Sequence, residues 1–326
     1  MLEQVQPKRT KDIIKIKVLG IGGGGNNAVN QMINSEIGKA EYILINTERN
    51  VLDRANTNGC QTLQIGKEVA QGLGAGANPE VGERAARESL EEIDKILEDV
   101  DLVFLTAGMG GGTGTGAIPV IAEEAKKKGI LTVAVVTTPF MFEGKLRGVR
   151  AQMGIEKLKP NVNSLIVISN DELLANTENN ISILDAFKLT DDVLRQAIES
   201  ITDLIYSVGT INVDFADVKT VLSYEGFSYM GIGEEEGENR IEEATKKALA
   251  NPLTKSTIEG AKGVIFNIKG SEDIGLDDIN RSAEIISSKI SPEANVIFGT
   301  VIDEELGDRV VVTVVATGVD EKKEEK

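Results

Sequence analysis

The stretch "GMGGGTGTG" (108–116) places six glycines in nine residues, directly after the apolar run "DLVFLTA" (101–107). Glycine loses more backbone entropy on ordering than any other residue. A run this dense either stays disordered or offers bare backbone to something that must come close. Its flanks decide between the two. The run before it reads as a buried strand, and "GAIPVIAEEAKKKG" (116–129) reads as an amphipathic helix closed by a glycine. A glycine loop between a strand and a helix N-terminus is the setting in which backbone N–H groups and the helix dipole hold phosphate.

A second loop repeats the pattern. "IIKIKVLGIG" (13–22) reads as a strand, and "GIGGGGNNAVNQM" (20–32) opens a helix near 26–35. Its first six residues satisfy G-x-G-x-x-G, a weak signal alone, which a tight strand-to-helix turn explains equally well. Further strands are expected at 40–48, 130–139 and 163–171, and a helix at 90–100. Continuous Val/Ile/Leu runs separated by helices imply a parallel sheet covered on both faces. Two glycine loops at the carboxyl ends of its strands would share one edge. Two phosphate cradles on one edge suit a nucleoside di- or triphosphate. The candidate set is Gly22, Gly23, Gly24, Gly25, Asn26 and Asn27 with Gly110, Gly111, Gly112, Thr113, Gly114, Thr115 and Gly116. There is no G-x-x-x-x-G-K-[ST], so the loops are not a P-loop.

Composition removes several function classes. The chain has 326 residues, enough for two domains, and 41% of them are hydrophobic, enough for a core of Val, Ile, Leu and Ala. The net charge of −17 argues against nucleic acid and against direct binding to anionic lipid. The absence of histidine removes histidine acid–base catalysis, the Ser-His and Cys-His triads and most zinc sites. Cys60 is the only cysteine, so no intrachain disulfide can form and a reducing cytoplasm is expected. The opening "MLEQVQPKRTKDIIK" lacks the apolar run of a signal peptide.

The pattern changes after the middle of the chain. A long helical stretch covers 181–207, and strands follow at 263–270, 295–306 and 308–318, interleaved with helices near 237–250 and 276–290. The expected division is a flexible extension (1–12), a Rossmann-like parallel-sheet α/β nucleotide domain (13–180), a central helical connection (181–207), a smaller α+β domain (208–319) and a charged tail (320–326). The acidic run "EEEGE" (234–238) reads as a solvated turn.

Several motifs now give a specific resemblance. "GGGTGTG" (110–116) matches the signature of the tubulin superfamily, and "NVDFADV" (212–218) matches the acidic loop of its FtsZ family. "GGGGNNAVN", "TTPFMFEGKLR" and "ISNDELL" are similar to FtsZ segments in the same order, so the resemblance runs from about 13 to about 318. It implies a tubulin/FtsZ-like fold and a cytoplasmic GTPase that polymerises head to tail into protofilaments at the mid-cell division site. The implied small molecules are GTP and GDP with Mg²⁺, the metal held mainly by phosphates and water and not by a protein ligand set. It also implies other cell-division proteins as partners. Family members continue into a linker and a short adaptor-binding peptide. Here the core runs into "DEKKEEK" (320–326), and no adaptor binding is assigned.

Roles follow residue by residue. Asn212, Asp214 and Asp217 would complete the GTPase site. On local sequence alone they read as a solvated turn with capping aspartates. A helix of about 17 residues spans roughly 25 Å, which would hold this loop far from the subunit's own phosphates. Carboxylates that orient water must lie within hydrogen-bond reach, so they could serve only a neighbouring subunit. That is a heterologous contact, the kind that yields filaments. Asp191 reads either as an acidic residue favoured by a helix dipole or as the acceptor for guanine's N1–H and 2-amino group. The resemblance favours Asp191 over Asp192. It also makes Glu143 and Arg147 ribose and phosphate contacts, where spacing alone gives a surface ion pair. Asn170 and Phe187 match positions that contact the base, and "GLGAGANPEVG" (72–82) matches a loop near the γ-phosphate. The competing readings are a dinucleotide-dependent oxidoreductase, which leaves the second glycine loop unexplained, and a filament protein without turnover, which leaves Asp214 and Asp217 unexplained.

Overall fold

Strands and helices alternate from the first described residues. A computed structural model describes residues 14–34, 40–55, 60–175, 177, 181–206, 214–250, 253–254 and 256–319. The expected extension, the charged tail and Asn212 lie outside them. β1 (Ile16–Ile21) runs straight into α1 (Gly22–Asn34), followed by β2 (Glu41–Asn46), α2 (Arg49–Arg54) and β3 (Cys60–Gln64). Two helices, α3 (Pro79–Glu88) and α4 (Leu90–Ile96), lead to β4 (Leu102–Gly108), α5 (Thr113–Lys127) and β5 (Leu131–Thr138). Next come α6 (Lys145–Leu158), β6 (Ser164–Ser169), α7 (Asn170–Ala175) and α8 (Ile183–Tyr206). The remainder is α9 (Phe215–Leu222), β7 (Phe227–Glu236), α10 (Arg240–Ala250), β8 (Gly263–Gly270), α11 (Leu276–Ser287), β9 (Asn295–Ile302) and β10 (Arg309–Val319).

The ten strands among the described residues form one sheet in the order β3-β2-β1-β4-β5-β6-β7-β10-β8-β9. The first six are parallel. Their order reverses direction between β1 and β4, which makes that crevice the topological switch point, where open α/β sheets bind ligands. Alternate side chains feed two apolar layers. Leu19, Ile21, Val103 and Leu105 pack with Ile93, Ile118 and Ile121 of α4 and α5. Val18, Leu44 and Phe104 pack with Ala28 and Val29 of α1 and Leu194 and Ile198 of α8.

The parallel part joins the rest through a narrow seam. β6 pairs with β7 only at Leu165↔Phe227 and Ile166↔Ser228, and the Ser164 and Ser228 hydroxyls bond across it at 2.7 Å. Beyond it β10 lies antiparallel between β7 and β8, while β8 and β9 are parallel. α10 sits directly on β7, because a Cβ at Gly231 or Gly233 would overlap the carbonyl oxygens of Ala248 and Ala244.

α8 spans the molecule. Its 24 residues rise about 36 Å. Near its start Thr190 Oγ1 donates to Asn170 Oδ1 at 3.4 Å, at the carboxyl end of β6. At its last residue the Tyr206 hydroxyl donates to the Ile14 carbonyl at 2.9 Å, just before β1. The helix therefore runs from the carboxyl edge of the sheet to the amino edge.

Several local expectations are corrected. α1 begins at Gly22, not near 26, because Gly22 with φ +72° makes the strand-to-helix turn by itself. α5 begins at Thr113, not 116, so the last glycines of the loop are helix. The expected helix at 90–100 is a short α4 preceded by α3. Glu234–Glu236, expected in a turn, end the strand β7 opposite residues 309–311 of β10. Lys247 pairs with Glu235, and Arg309 lies 3.7 Å from Glu234, which makes the acidic run tolerable in a strand. β3 escapes notice because "CQTLQ" is a half-exposed edge strand with little apolar signal.

Candidate functional site

The two glycine loops meet at the switch point, and their glycines divide by purpose. A Cβ at Gly22 would lie 2.7 Å from the Gly114 nitrogen, and one at Gly24 would lie 3.2 Å from the Gly108 nitrogen. A Cβ at Gly25 would overlap the Thr106 carbonyl oxygen. Gly22 lets α1 and α5 start almost in contact, and Gly24 and Gly25 let α1 lie directly on the end of β4. Gly114 is equally tight against the Ile21 and Gly108 carbonyls, at 3.1 Å. Gly116 belongs to packing too, because its Cβ would overlap the Pro79 carbonyl oxygen of α3. Gly23 and Gly111 have nothing within 4 Å of a Cβ and border open space. Gly110 needs its φ of +99°, and a Cβ there would sit 2.7 Å from the Arg147 carbonyl oxygen. Gly112 lies under the third loop, 2.7 Å from the Ala75 Cβ on the same measure.

Neither α1 nor α5 carries an acidic residue in its first turn, and no side chain caps α5. Unpaired N–H groups and two helix dipoles therefore converge on one spot, with no carboxylate from either helix's own first turn to repel an anion. Not every predicted side chain faces that spot. Asn26 is fully buried: its amide donates to the Gly20 carbonyl at 2.7 Å and the Ile45 carbonyl at 3.3 Å, and its oxygen accepts from Asn46. Asn27, Gly23 and Gly24 are exposed. Thr115 Oγ1 accepts the Gly110 N–H at 2.8 Å, so it closes the loop from inside. The Thr113 hydroxyl bonds the Thr47 hydroxyl at 2.7 Å.

Beside the second loop, Arg147 Nη1 lies 2.7 Å from Glu143 Oε2, and Glu143 Oε1 accepts the Phe140 N–H at 3.0 Å. This is the i,i+4 pair expected from spacing, and it is placed next to Gly110 by the close approach of Arg147's backbone. Phe140, Phe142 and Phe187 form an aromatic group, with Phe140 and Phe187 edge to face at 5.4 Å. Asn170 is buried and holds Thr190. Phe187 and Asp191 are one helical turn apart, on the same face of α8.

The aspartate pair separates cleanly. Asp192 accepts from Arg195 at 2.9 and 2.7 Å and from Gln196 at 2.8 Å, and it lines a cavity of about 420 Å³ between α8 and strands β8 and β10. The Asp191 carboxylate makes no hydrogen bond or ion pair with any described residue. Burial pushes its carboxyl up to about 7. An unpartnered, half-buried carboxylate is an acceptor in want of donors.

Asp214 and Asp217 follow the far end of α8 in the chain, and their helix α9 reaches the amino edge of the sheet, where the Val221 carbonyl accepts from Thr317 beside Gly263, the first residue of β8. Asp214 Oδ1 caps α9 by accepting the Ala216 N–H at 3.1 Å, and Asp217 is exposed in that helix's first turn. Sequence reasoning overlooked residues 46–49, which touch all three glycine loops. The signal available was their place at the carboxyl end of β2, beside the switch point. Among the described residues no group of three or more His, Cys, Asp or Glu could hold a metal ion. No helix among the described residues is long and apolar enough to cross a membrane.

With this geometry in hand, residues 15–178 match the GTPase domain of the Tubulin/FtsZ family, and residues 226–320 match the FtsZ family C-terminal domain. An FtsZ dimer from M. jannaschii superposes with a TM-score of 0.90 at 43% identity, covering 96% of this chain and 94% of that one. An FtsZ point mutant from the same organism gives 0.90 at 44% identity over 94% and 92%. CetZ2 of Haloferax volcanii, in a GTPγS-bound protofilament, shares the fold alone, with a TM-score of 0.78 at 18% identity over 94% of each chain. A GTPase domain at the switch point, a FtsZ-type C-terminal unit and an FtsZ match over nearly the whole length together establish that the chain belongs to the tubulin/FtsZ family.

Proposed function

We propose that the protein hydrolyses GTP while assembling head to tail into protofilaments, and that these build a cell-division ring at mid-cell. The nucleotide is cleaved where two subunits meet. Gly22–Gly25 and Gly110–Gly112, with the first turns of α1 and α5, bind the phosphates through backbone N–H groups. Thr113 adds a hydroxyl. Arg147 and Glu143 contact phosphate and ribose. Asp191 accepts guanine's N1–H and 2-amino group, with Phe187 and Asn170 around the ring. Mg²⁺ comes with GTP, held by phosphate oxygens and water. Neither loop has a lysine, so neutral amides and the metal balance the phosphate charge. Asp214 and Asp217, with Asn212, orient the attacking water in the next subunit's site.

One observation carries this reading. α8 links the carboxyl edge of the sheet, at Thr190, to the amino edge, at Tyr206, over about 24 Å; the anion-binding loops lie at the first edge, and the exposed Asp217 follows the second in the chain. A carboxylate must be within hydrogen-bond reach of the water it positions, and Asp217 has no such reach within its own subunit. The FtsZ relative as a dimer and the CetZ relative as a protofilament agree with self-association.

The test is Asp217→Ala. It should bind GTP within a few-fold of the parent protein and lose hydrolysis by about 10²-fold or more. The parent's specific activity should rise steeply above a threshold protein concentration. Lost GTP binding in the variant, or activity per molecule that is flat with concentration, overturns the shared site.

A further inference from the structure

The short segment that begins at the last residue of β2 joins all three glycine loops, the third being residues 72–82. Asn46, almost fully buried, donates from Nδ2 to Asn26 Oδ1 of the first loop at 2.7 Å. Its own Oδ1 accepts the Glu48 N–H at 3.2 Å. Thr47, fully buried, bonds Thr113 of the second loop through the paired hydroxyls at 2.7 Å. Glu48 forms a β-bridge with Leu73, and the Arg49 N–H donates to the Gly72 carbonyl at 3.1 Å, so both grip the third loop. That third loop in turn covers Gly112, whose Cβ would lie 2.9 Å from the Asn78 nitrogen.

The Thr47–Thr113 pair has a direction that a ligand can set. A hydroxyl donates one hydrogen bond and accepts others, and either oxygen can be the donor here. A phosphate oxygen only accepts. When Thr113 donates to a phosphate, Thr47 must donate to Thr113, which makes a chain from Thr47 through Thr113 to the anion. Bonds in such a chain polarise and strengthen one another. We infer that Thr47 is a positioning residue that aims the Thr113 hydroxyl at the nucleotide's phosphates, and that residues 46–49 clamp the three loops into one phosphate-responsive unit. The inference rests on the glycine loops being the phosphate site.

The test uses the full chain with Thr47→Val, which keeps the shape and removes the hydroxyl, and Thr47→Ser, which restores it. GTP, GDP and guanosine binding are measured by calorimetry or by competition. Thr47→Val should weaken GTP and GDP about tenfold, the worth of one hydrogen bond to a charged group. It should leave guanosine, which has no phosphate, within about twofold, and Thr47→Ser should recover most of the loss. A merely structural role would weaken all three ligands together. Equal loss for guanosine and GTP overturns the inference, and so does GTP binding unchanged in Thr47→Val. If the parent chain binds no guanine nucleotide, the proposed function fails first. Hydrogen exchange on the parent protein gives a check that needs no variant. GTP should protect the amides of 72–76 and 111–113 together, and independent protection of the two stretches overturns the clamp.

Discussion

Lowering the pH should release guanine nucleotide, with Asp191 as the cause. Only the ionised carboxylate can accept both guanine donors, because a protonated carboxyl places an O–H against one of them. The empty site holds this group at about 7, through burial. Donors from guanine favour the charged form, so the bound value lies lower. Affinity is then fully present above the empty-site value and declines as pH falls through it. The ionised fraction is about 0.9 at pH 8 and about 0.1 at pH 6, so GDP binding should weaken about tenfold across that interval. Binding at pH 6.5 should also release about 0.75 proton per nucleotide, falling to almost none at pH 8.5. Calorimetry in buffers of different ionisation enthalpy reads both quantities. The phosphates titrate in the same range, so Asp191→Asn is the reference: it keeps the phosphate contribution and loses this one. A flat affinity between pH 6 and 8, or the same slope and proton release in Asp191→Asn, refutes the assignment of Asp191 to the base.

Further outcomes follow from the same geometry. Gly111→Ala should fold with nearly unchanged stability, because its Cβ meets nothing within 4 Å, yet weaken GTP binding by tenfold or more as the methyl group enters the phosphate space. Gly116→Ala should instead cost about 3 kcal/mol or more in denaturant unfolding, since its Cβ overlaps the Pro79 carbonyl. Asp203 has its carboxyl pushed up to about 6, first by burial and then by Glu199 and Asp303. Its folded value exceeds the unfolded one, so ionisation costs stability as pH rises through about 6. Asp203→Asn should therefore raise Tm by about 2–4 °C at pH 8 and by little at pH 4.

Elements whose signal is local were legible in the sequence. The strands that became β1, β4, β5 and β6 are runs dominated by Val, Ile and Leu, and the loops behind β1 and β4 announce themselves by glycine density. Features that depend on distant partners were not. Asp191 and Asp192 are adjacent and identical in type, and only the Arg195 and Gln196 contacts of one tell them apart. Thr47 gains its meaning from Thr113, 66 residues away. The acidic end of β7 looked like a turn because its neutralising partners, Lys247 and Arg309, come from α10 and β10. Glycine density also concealed a division of labour: Gly25 and Gly116 serve helix packing, while Gly23 and Gly111 border open space.

That division has a consequence for genetics. Where a glycine's missing Cβ would strike a carbonyl oxygen, the obstacle is main chain. Such obstacles are Thr106 for Gly25, Pro79 for Gly116, Ala248 for Gly231 and Ala244 for Gly233. A carbonyl is the same whichever residue bears it, so no second substitution at the partner position can make room. Gly154 differs, because its Cβ would meet the Met109 methyl at 2.7 Å and the Thr115 side chain, both of which can be trimmed. A hunt for intragenic suppressors should recover partner-site revertants of lesions at Gly154 and none at the other four.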